Sequence, residues 1–147
     1  HGNALHLGSA NNVILDTDSV QNWTGHSVFV QCTCTGNWMA KDESGYKSLA
    51  IQALTQPQGG IAASIGTSTY MNSDCAVEFA SQLLKNANSG GMRLGTALMK
   101  AQQWAFAKGS SYYSDLNKTE QLFGDPAMPV LTKAPAEASK TPVAEQF

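Results

Sequence analysis

Charged residues are scarce in this sequence and are not concentrated anywhere. Of the 147 residues only 14% are charged, and nine Lys and Arg against eleven Asp and Glu give a net charge of −2. Because there is no basic cluster, a nucleic-acid partner is not expected. The low charge fraction, together with 42% apolar residues, also argues against a disordered, solvating chain. The composition therefore predicts one folded domain with its own core.

Long apolar runs and cofactor motifs are missing as well. No stretch approaches the roughly 20 apolar residues that a membrane-spanning helix needs, so no membrane span is expected. Gly59-Gly60 lacks the Lys-Ser/Thr that follows in a phosphate-binding loop. The spacing of the His and Cys residues matches no standard zinc site. We therefore expect neither a cofactor nor a metal.

The cysteines are too few and too unevenly spaced for a disulfide framework. Cys32 and Cys34 are separated by one residue, which is too short a loop for an ordinary structural disulfide, and Cys75 lies far along the chain. All three are interpreted as free thiols. A thiol becomes a nucleophile when a histidine is brought beside it. His1, followed by Gly2, is the candidate histidine.

The order of predicted elements is typical of an α/β protein. Short strands are predicted over residues 13–15, 27–33 and 61–65, with a last one beginning at Val130. Helices are predicted over residues 48–55, 74–87 and 94–107. Asp74 is the expected N-cap of the second helix, and Val77 and Leu84 belong to its expected apolar face. Residues 1–12 and 109–121 are interpreted as irregular. Strands that alternate with helices predict a mostly parallel sheet.

Four strings of the sequence resemble the C-terminal half of the catalytic domain of gingipain-type cysteine peptidases, in the caspase-like superfamily. They are, in chain order, the strand leading to the catalytic cysteine (28–34), the start of the next helix (48–50), a Gly-led strand (59–64) and a closing Gly-Asp-Pro signature (122–127). The resemblance covers residues 1–131. Residues 132–147 are interpreted as an Ala/Pro/Lys-rich linker or tail.

This resemblance implies a fold and a site. The implied fold is a caspase-like three-layer α/β sandwich with a mostly parallel sheet, of which the chain contains only the C-terminal half. His1 would be the general base or imidazolium partner and Cys34 the nucleophile, and the backbone N–H groups of Gly2 and Cys34 would form the oxyanion hole. The loop Thr67-Ser68-Thr69-Tyr70 would line the substrate pocket, with Tyr70 as an aromatic wall.

Two alternatives remain open within this site. Residues 32 and 34 lie on the same face of a strand, so periodicity does not choose between the two thiols. Alignment of the apolar block favours Cys34, which leaves Cys32 as a packing residue. Gly36 follows Cys34 after two steps, where the family usually has three. His6 is the weaker candidate base because Gly does not follow it. Asp125 is interpreted as a turn residue whose carboxylate caps backbone N–H groups.

The expected function is that of a cysteine endopeptidase, which hydrolyses peptide bonds through a Cys-His dyad and a thioester acyl-enzyme. Its expected partners are a peptide or protein substrate and an upstream polypeptide segment that completes the sheet. By resemblance, its location would be secreted or at the surface of a bacterial cell. The alternatives are a catalytically inactive gingipain-like scaffold or interaction module, and a CHAT-type caspase-like peptidase.

Overall fold

The described part of the chain, residues 6–9, 12–37 and 47–130 of a computed structural model, contains five strands and four α-helices. The strands are β1 (His6–Ser9), β2 (Asn12–Asp16), β3 (Ser27–Gln31), β4 (Ile61–Thr67) and β5 (Glu120–Gly124). The helices are α1 (Leu49–Leu54), α2 (Ser73–Ala87), α3 (Leu94–Lys108) and α4 (Ser111–Thr119). A short 3-10 helix, Ser19–Asn22, connects β2 to β3.

Polar side chains define the helix starts. The Ser48 side chain accepts a hydrogen bond from the Ile51 N–H and thereby caps α1. The N-cap of α2 is Asn72, whose side chain accepts from the N–H groups of Asp74 and Cys75. The prediction of Asp74 as the cap is therefore wrong, because Asp74 already lies in the first turn of the helix. Its negative charge still complements the positive end of the helix dipole.

The central sheet has the order β3-β4-β5 and is mixed rather than mostly parallel. β3 and β4 are parallel, whereas β4 and β5 are antiparallel, and β1 and β2 form a separate antiparallel pair. The reversal at β5 follows from its connection. Thr119 ends α4 next to the carboxyl end of β4, where its carbonyl accepts from the Ser68 N–H. The chain therefore enters β5 at that edge and has to run back along β4.

Two segments that were predicted to be irregular are ordered, so those predictions are wrong. Part of 1–12 is β1, and 109–121 contains α4 and the start of β5. α4 escaped detection because its residues are mostly polar and it buries only Leu116. Val130 lies outside any strand, and the neighbouring backbone contact is an isolated bridge between Arg93 and Pro129. Leu131 and the predicted tail, 132–147, lie outside the described residues.

Helices cover both faces of the small sheet. On one face, Ile65 packs with Phe79 and Leu83 of α2 and with residues of α3 and α4. On the other face, Phe29 packs against a second cluster that includes Val20 of the 3-10 helix and Leu49 of α1. The described residues therefore form three layers, and the parallel β3–β4 pair lies between them with its carboxyl edge open to loops.

Two phenylalanines, one buried and one exposed, allow the contribution of the larger core to the free energy of unfolding to be measured. Phe79 in α2 is 1% exposed, whereas Phe106 in α3 is 72% exposed. Phe79→Ala should lower the free energy of unfolding by about 3–5 kcal/mol, because it removes buried surface and leaves a cavity. Phe106→Ala, the matched control on a helix surface, should change it by less than about 0.5 kcal/mol. Urea denaturation measures both, and equal losses would contradict this description of the core.

Candidate active site

The predicted nucleophile lies in a turn, residues 33–37, that follows β3 at the carboxyl edge of the sheet. Two backbone hydrogen bonds join this turn, which we call the Cys34 turn, to the end of β4 and the loop after it. The Thr35 N–H donates to Thr69 O over 3.0 Å, and the Asn37 N–H donates to Thr67 O over 3.0 Å. The loops predicted to carry the nucleophile and the substrate pocket are therefore adjacent, as expected at the carboxyl edge of parallel strands.

Thr67 connects these two loops through its side chain. Its hydroxyl lies 2.9 Å from Thr33 O and 3.0 Å from Thr69 O, and it can donate to one of them at a time. The residue has no exposed surface. Ser68 is half-buried, whereas Thr69 is exposed and Tyr70 is 85% exposed. The surface that this segment offers to a substrate is therefore that of residues 68–70, with Thr67 beneath it.

Cys34 is half-buried and free. Its Sγ lies 3.8 Å from Met71 O, the geometry of a weak S–H···O hydrogen bond. A thiol that donates to a carbonyl is protonated, so nucleophilic attack requires a base to take that proton. Among the described residues, no acceptor takes up the Cys34 backbone N–H. That donor is therefore available to a substrate oxygen, as an oxyanion hole requires.

Cys32 lies in a different environment, directly after the last residue of β3. It is exposed as a residue, so its interpretation as strand packing is wrong. Its Sγ lies 3.8 Å from Ala76 O in the first turn of α2. Desolvation of the thiol there raises its pKa, and the Glu120 carboxyl raises it further. At neutral pH it is desolvation that stabilises the neutral Cys32 thiol and disfavours its thiolate, because the Glu120 carboxyl adds its charge only once it has ionised.

Glu120 is a buried carboxyl that the sequence did not single out. Glu120 is in register with Thr67, the last residue of β4, so it lies at the same sheet edge as the end of β3. Glu120 is 7% exposed, and its buried Oε2 atom has no hydrogen-bond partner among the residues that the structure describes. Burial raises its pKa to about 8. The carboxyl is therefore mostly protonated at neutral pH, because ionisation would leave an uncompensated charge.

The remaining residues singled out from the sequence are His1, Gly2, His6 and Asp125. His1 and Gly2 lie outside the described residues, so the His1–Cys34 pair and the Gly2 N–H donor stay predictions. The backbone of His6, the weaker candidate base, belongs to β1. Asp125 is confirmed as a turn residue, because its Oδ1 accepts from the Ala127 N–H over 2.8 Å.

Within 6–9, 12–37 and 47–130, no group of three or more His, Cys, Asp or Glu side chains is arranged to hold a metal ion. Over the same ranges, no helix has both the length and the apolar character needed to cross a membrane.

Comparison with known proteins matches the chain to one protein family. The model of a family described as Peptidase family C25 matches residues 1–131. The match includes all four strings that carried the resemblance to gingipain-type peptidases, so that resemblance is confirmed. Neither a curated protein nor a solved structure gives a significant match.

The Glu120 carboxyl should make stability depend on pH. Its pKa is about 8 in the folded protein against 4.5 ordinarily. Between these values the unfolded chain binds fewer protons, so stability falls as pH rises. Relative to Glu120→Gln, which cannot ionise, the wild type should lose up to about 5 kcal/mol between pH 4.5 and 9.

Urea denaturation at several pH values measures this difference. Asp115→Asn is the control, because it removes an exposed carboxyl from α4. The stability of this control should follow that of the wild type across the whole range. Parallel curves for the wild type and Glu120→Gln would contradict a protonated Glu120.

Proposed function

Because the chain belongs to peptidase family C25, we propose that it is the nucleophile-bearing part of a cysteine endopeptidase in which Cys34 attacks the scissile carbonyl. The observation that carries this proposal is the Cys34 turn itself. It lies at the carboxyl edge of β3 beside the 68–70 loop, with a half-buried thiol and, at the same residue, an N–H that no described residue engages. A nucleophile and an oxyanion donor on one residue are what acyl transfer to a thiol requires.

The proposed reaction is acyl transfer followed by hydrolysis. His1 takes the Cys34 proton, and the thiolate attacks the carbonyl carbon to form a tetrahedral oxyanion that the N–H groups of Cys34 and Gly2 stabilise. The C–N bond then breaks as the imidazolium gives its proton to the leaving amine, which leaves a thioester on Cys34. His1 activates a water molecule that attacks this thioester and restores the thiol. The roles of His1 and Gly2 rest on the family resemblance.

Cys34 is preferred to Cys32 for two physical reasons. The pKa of the Cys32 thiol is raised by desolvation and by Glu120, which disfavours its thiolate. Cys34 also lies next to the Thr69 side of the predicted pocket, because its neighbour Thr35 donates to Thr69 O. In the proposed complex, residues 68–70 line the pocket for the substrate side chain before the scissile bond, and Tyr70 forms its wall.

A non-catalytic scaffold is the second candidate. The observation that favours it is the short step from Cys34 to Gly36, two residues where the family usually has three. A CHAT-type peptidase uses the same pairing of His-Gly with Cys, but it fits the Gly-Asp-Pro ending less well.

Replacement of each thiol by alanine tests the assignment. Cys34→Ala should lower peptide hydrolysis at least ~1000-fold, because the bond-forming atom is removed. Cys32→Ala, the control two residues away, should retain hydrolysis. The measurement is hydrolysis of a fluorogenic peptide library at neutral pH, with mass spectrometry to locate iodoacetamide labels. Hydrolysis that survives Cys34→Ala would contradict the assignment, and a wild type that cleaves no peptide would favour the scaffold.

We further propose that an upstream segment of the polypeptide pairs with β3 and completes a caspase-like sandwich. Among the described strands, β3 pairs only with β4, so its other edge is unpaired. A groove of about 650 Å³ on one side of this edge is lined by apolar residues that include Val28, Val30 and Leu84. A second groove of about 430 Å³, on the other side, includes Trp23 and Phe29. A strand with apolar side chains would form hydrogen bonds with the backbone N–H and C=O groups of this edge, and its side chains would fill both grooves.

The exposure of one α2 residue, Leu84, supports the same proposal. Val77 and Leu84, both expected on the buried face, are 58% and 50% exposed. Leu84 lines the larger groove, and a strand on β3 would therefore cover it. By family resemblance, we also propose that the complete enzyme is secreted or displayed on the surface of a bacterial cell.

A charge placed in the larger groove tests the upstream strand. Val30→Lys should release the upstream polypeptide from the native protein, because an ammonium group would be buried at the interface. Val77→Lys adds the same charge to α2 at a residue that does not line the groove, and should retain the partner. Size-exclusion chromatography with mass spectrometry of the native protein measures this. A folded monomer of only 15.6 kDa would contradict the proposal.

A further inference from the structure

A buried amide network lies under the Cys34 turn. Asn37, the last residue of this turn, has no exposed surface. Its Oδ1 accepts from Gln31 Nε2 over 2.9 Å and from Ser64 Oγ over 2.8 Å. Its Nδ2 donates to Gln121 O over 2.9 Å and to Ser64 O over 3.4 Å. Because its backbone N–H also donates to Thr67 O, this one residue connects β3, β4 and β5.

Two glycines leave the space that this network occupies. A Cβ at Gly36 would collide with the carboxamide of Gln31. A Cβ at Gly66 would lie 3.1 Å from the Gln31 Cβ and 3.4 Å from the Asn37 Cγ, so neighbouring atoms would have to move. Gly36 is not among the glycines with positive φ, and the residue of this turn that has a positive φ is Thr35. Gly36 is therefore needed for the Gln31 side chain beneath it rather than for its own conformation.

The Cys34 turn contains a backbone conformation that its surroundings have to hold. Thr35 has a backbone φ of 54°, which lies in the left-handed region that residues other than glycine rarely adopt. The Thr33 carbonyl lies within reach of the Thr67 hydroxyl. The Asn37 N–H donates to Thr67 O at the end of β4, and the Thr35 N–H donates to Thr69 O in the following loop. Cys34 lies between these anchors, and no described residue accepts from its N–H.

We propose that Asn37 is the positioning residue of the site: it holds the Cys34 turn in the conformation that aims the Cys34 N–H at the developing oxyanion. It touches neither the thiol nor the substrate, and acts through the turn backbone. The anchoring role stands on the network alone, whereas the role toward the oxyanion rests on the proposed function.

Amide hydrogen exchange tests the anchoring role whether or not the protein has activity. In Asn37→Ala, exchange at residues 33–37 should accelerate at least tenfold, while exchange in the middle of β4 stays unchanged. Leu83→Ala is the control, because it removes core contacts of α2 away from the turn. It should leave exchange at 33–37 as in the wild type. Ser64→Ala removes one of the two donors to Asn37 Oδ1 and should give a smaller acceleration at the same residues. Unchanged exchange at 33–37 in both network variants would overturn the proposal.

Kinetics of the full-length protein test the role toward the oxyanion. Loss of one oxyanion donor lowers kcat by about 100-fold or more, so Asn37→Ala should lower kcat to this extent and leave KM unchanged. Alkylation of Cys34 by iodoacetamide forms no oxyanion, and its rate should not fall. A parallel fall in alkylation and hydrolysis, or a change confined to KM, would overturn the positioning role. A wild type without hydrolysis would instead refute the proposed function, and the exchange experiment would still decide the anchoring role.

Discussion

The site depends on the attachment of one turn to the end of β4. Parallel strands bring the ends of β3 and β4 to the same edge, but this alone leaves their loops free to move. Here the Cys34 turn is bound to β4 by the Asn37 N–H and side chain and by the Thr67 hydroxyl. These groups are buried, so each hydrogen bond is costly to break. The position of the thiol, of its N–H and of the pocket loop therefore follows from one buried polar layer.

The same sheet edge contains polar groups whose hydrogen-bonding capacity is incomplete. Glu120 Oε2, Thr33 Oγ1 and Gln31 Oε1 are buried without partners among the described residues. Such groups lower stability and are most often found where function demands them. The neighbouring Cys32 thiol is affected as well, since desolvation raises its pKa and the Glu120 carboxyl raises it further once ionised.

The two edges of the central sheet differ in how they are bonded to the rest of the chain. Gln121 in β5 accepts from Asn37, so the β5 side is joined to the turn. The outer edge of β3 pairs with none of the described strands and has an apolar groove on each side. Such an edge invites pairing with another strand. The Cys34 turn follows β3, so it lies at the end of the strand that has this outer edge.

Local patterns in the sequence determined much of the fold. The β-branched run before Cys32, the small residues of β4 and the apolar face of α3 predicted a strand–helix–strand core, and the four family strings predicted the family, which the comparison confirms. Elements with weak patterns were missed: α4 buries only Leu116, and Glu120 precedes a strand that is mostly half-buried. Gln31 interrupts an apolar run and Asn37 follows a glycine, but neither type of residue signals a site. Tertiary structure alone decided their roles, because a buried hydrogen bond or an ionisation preference depends on which groups distant segments bring into contact.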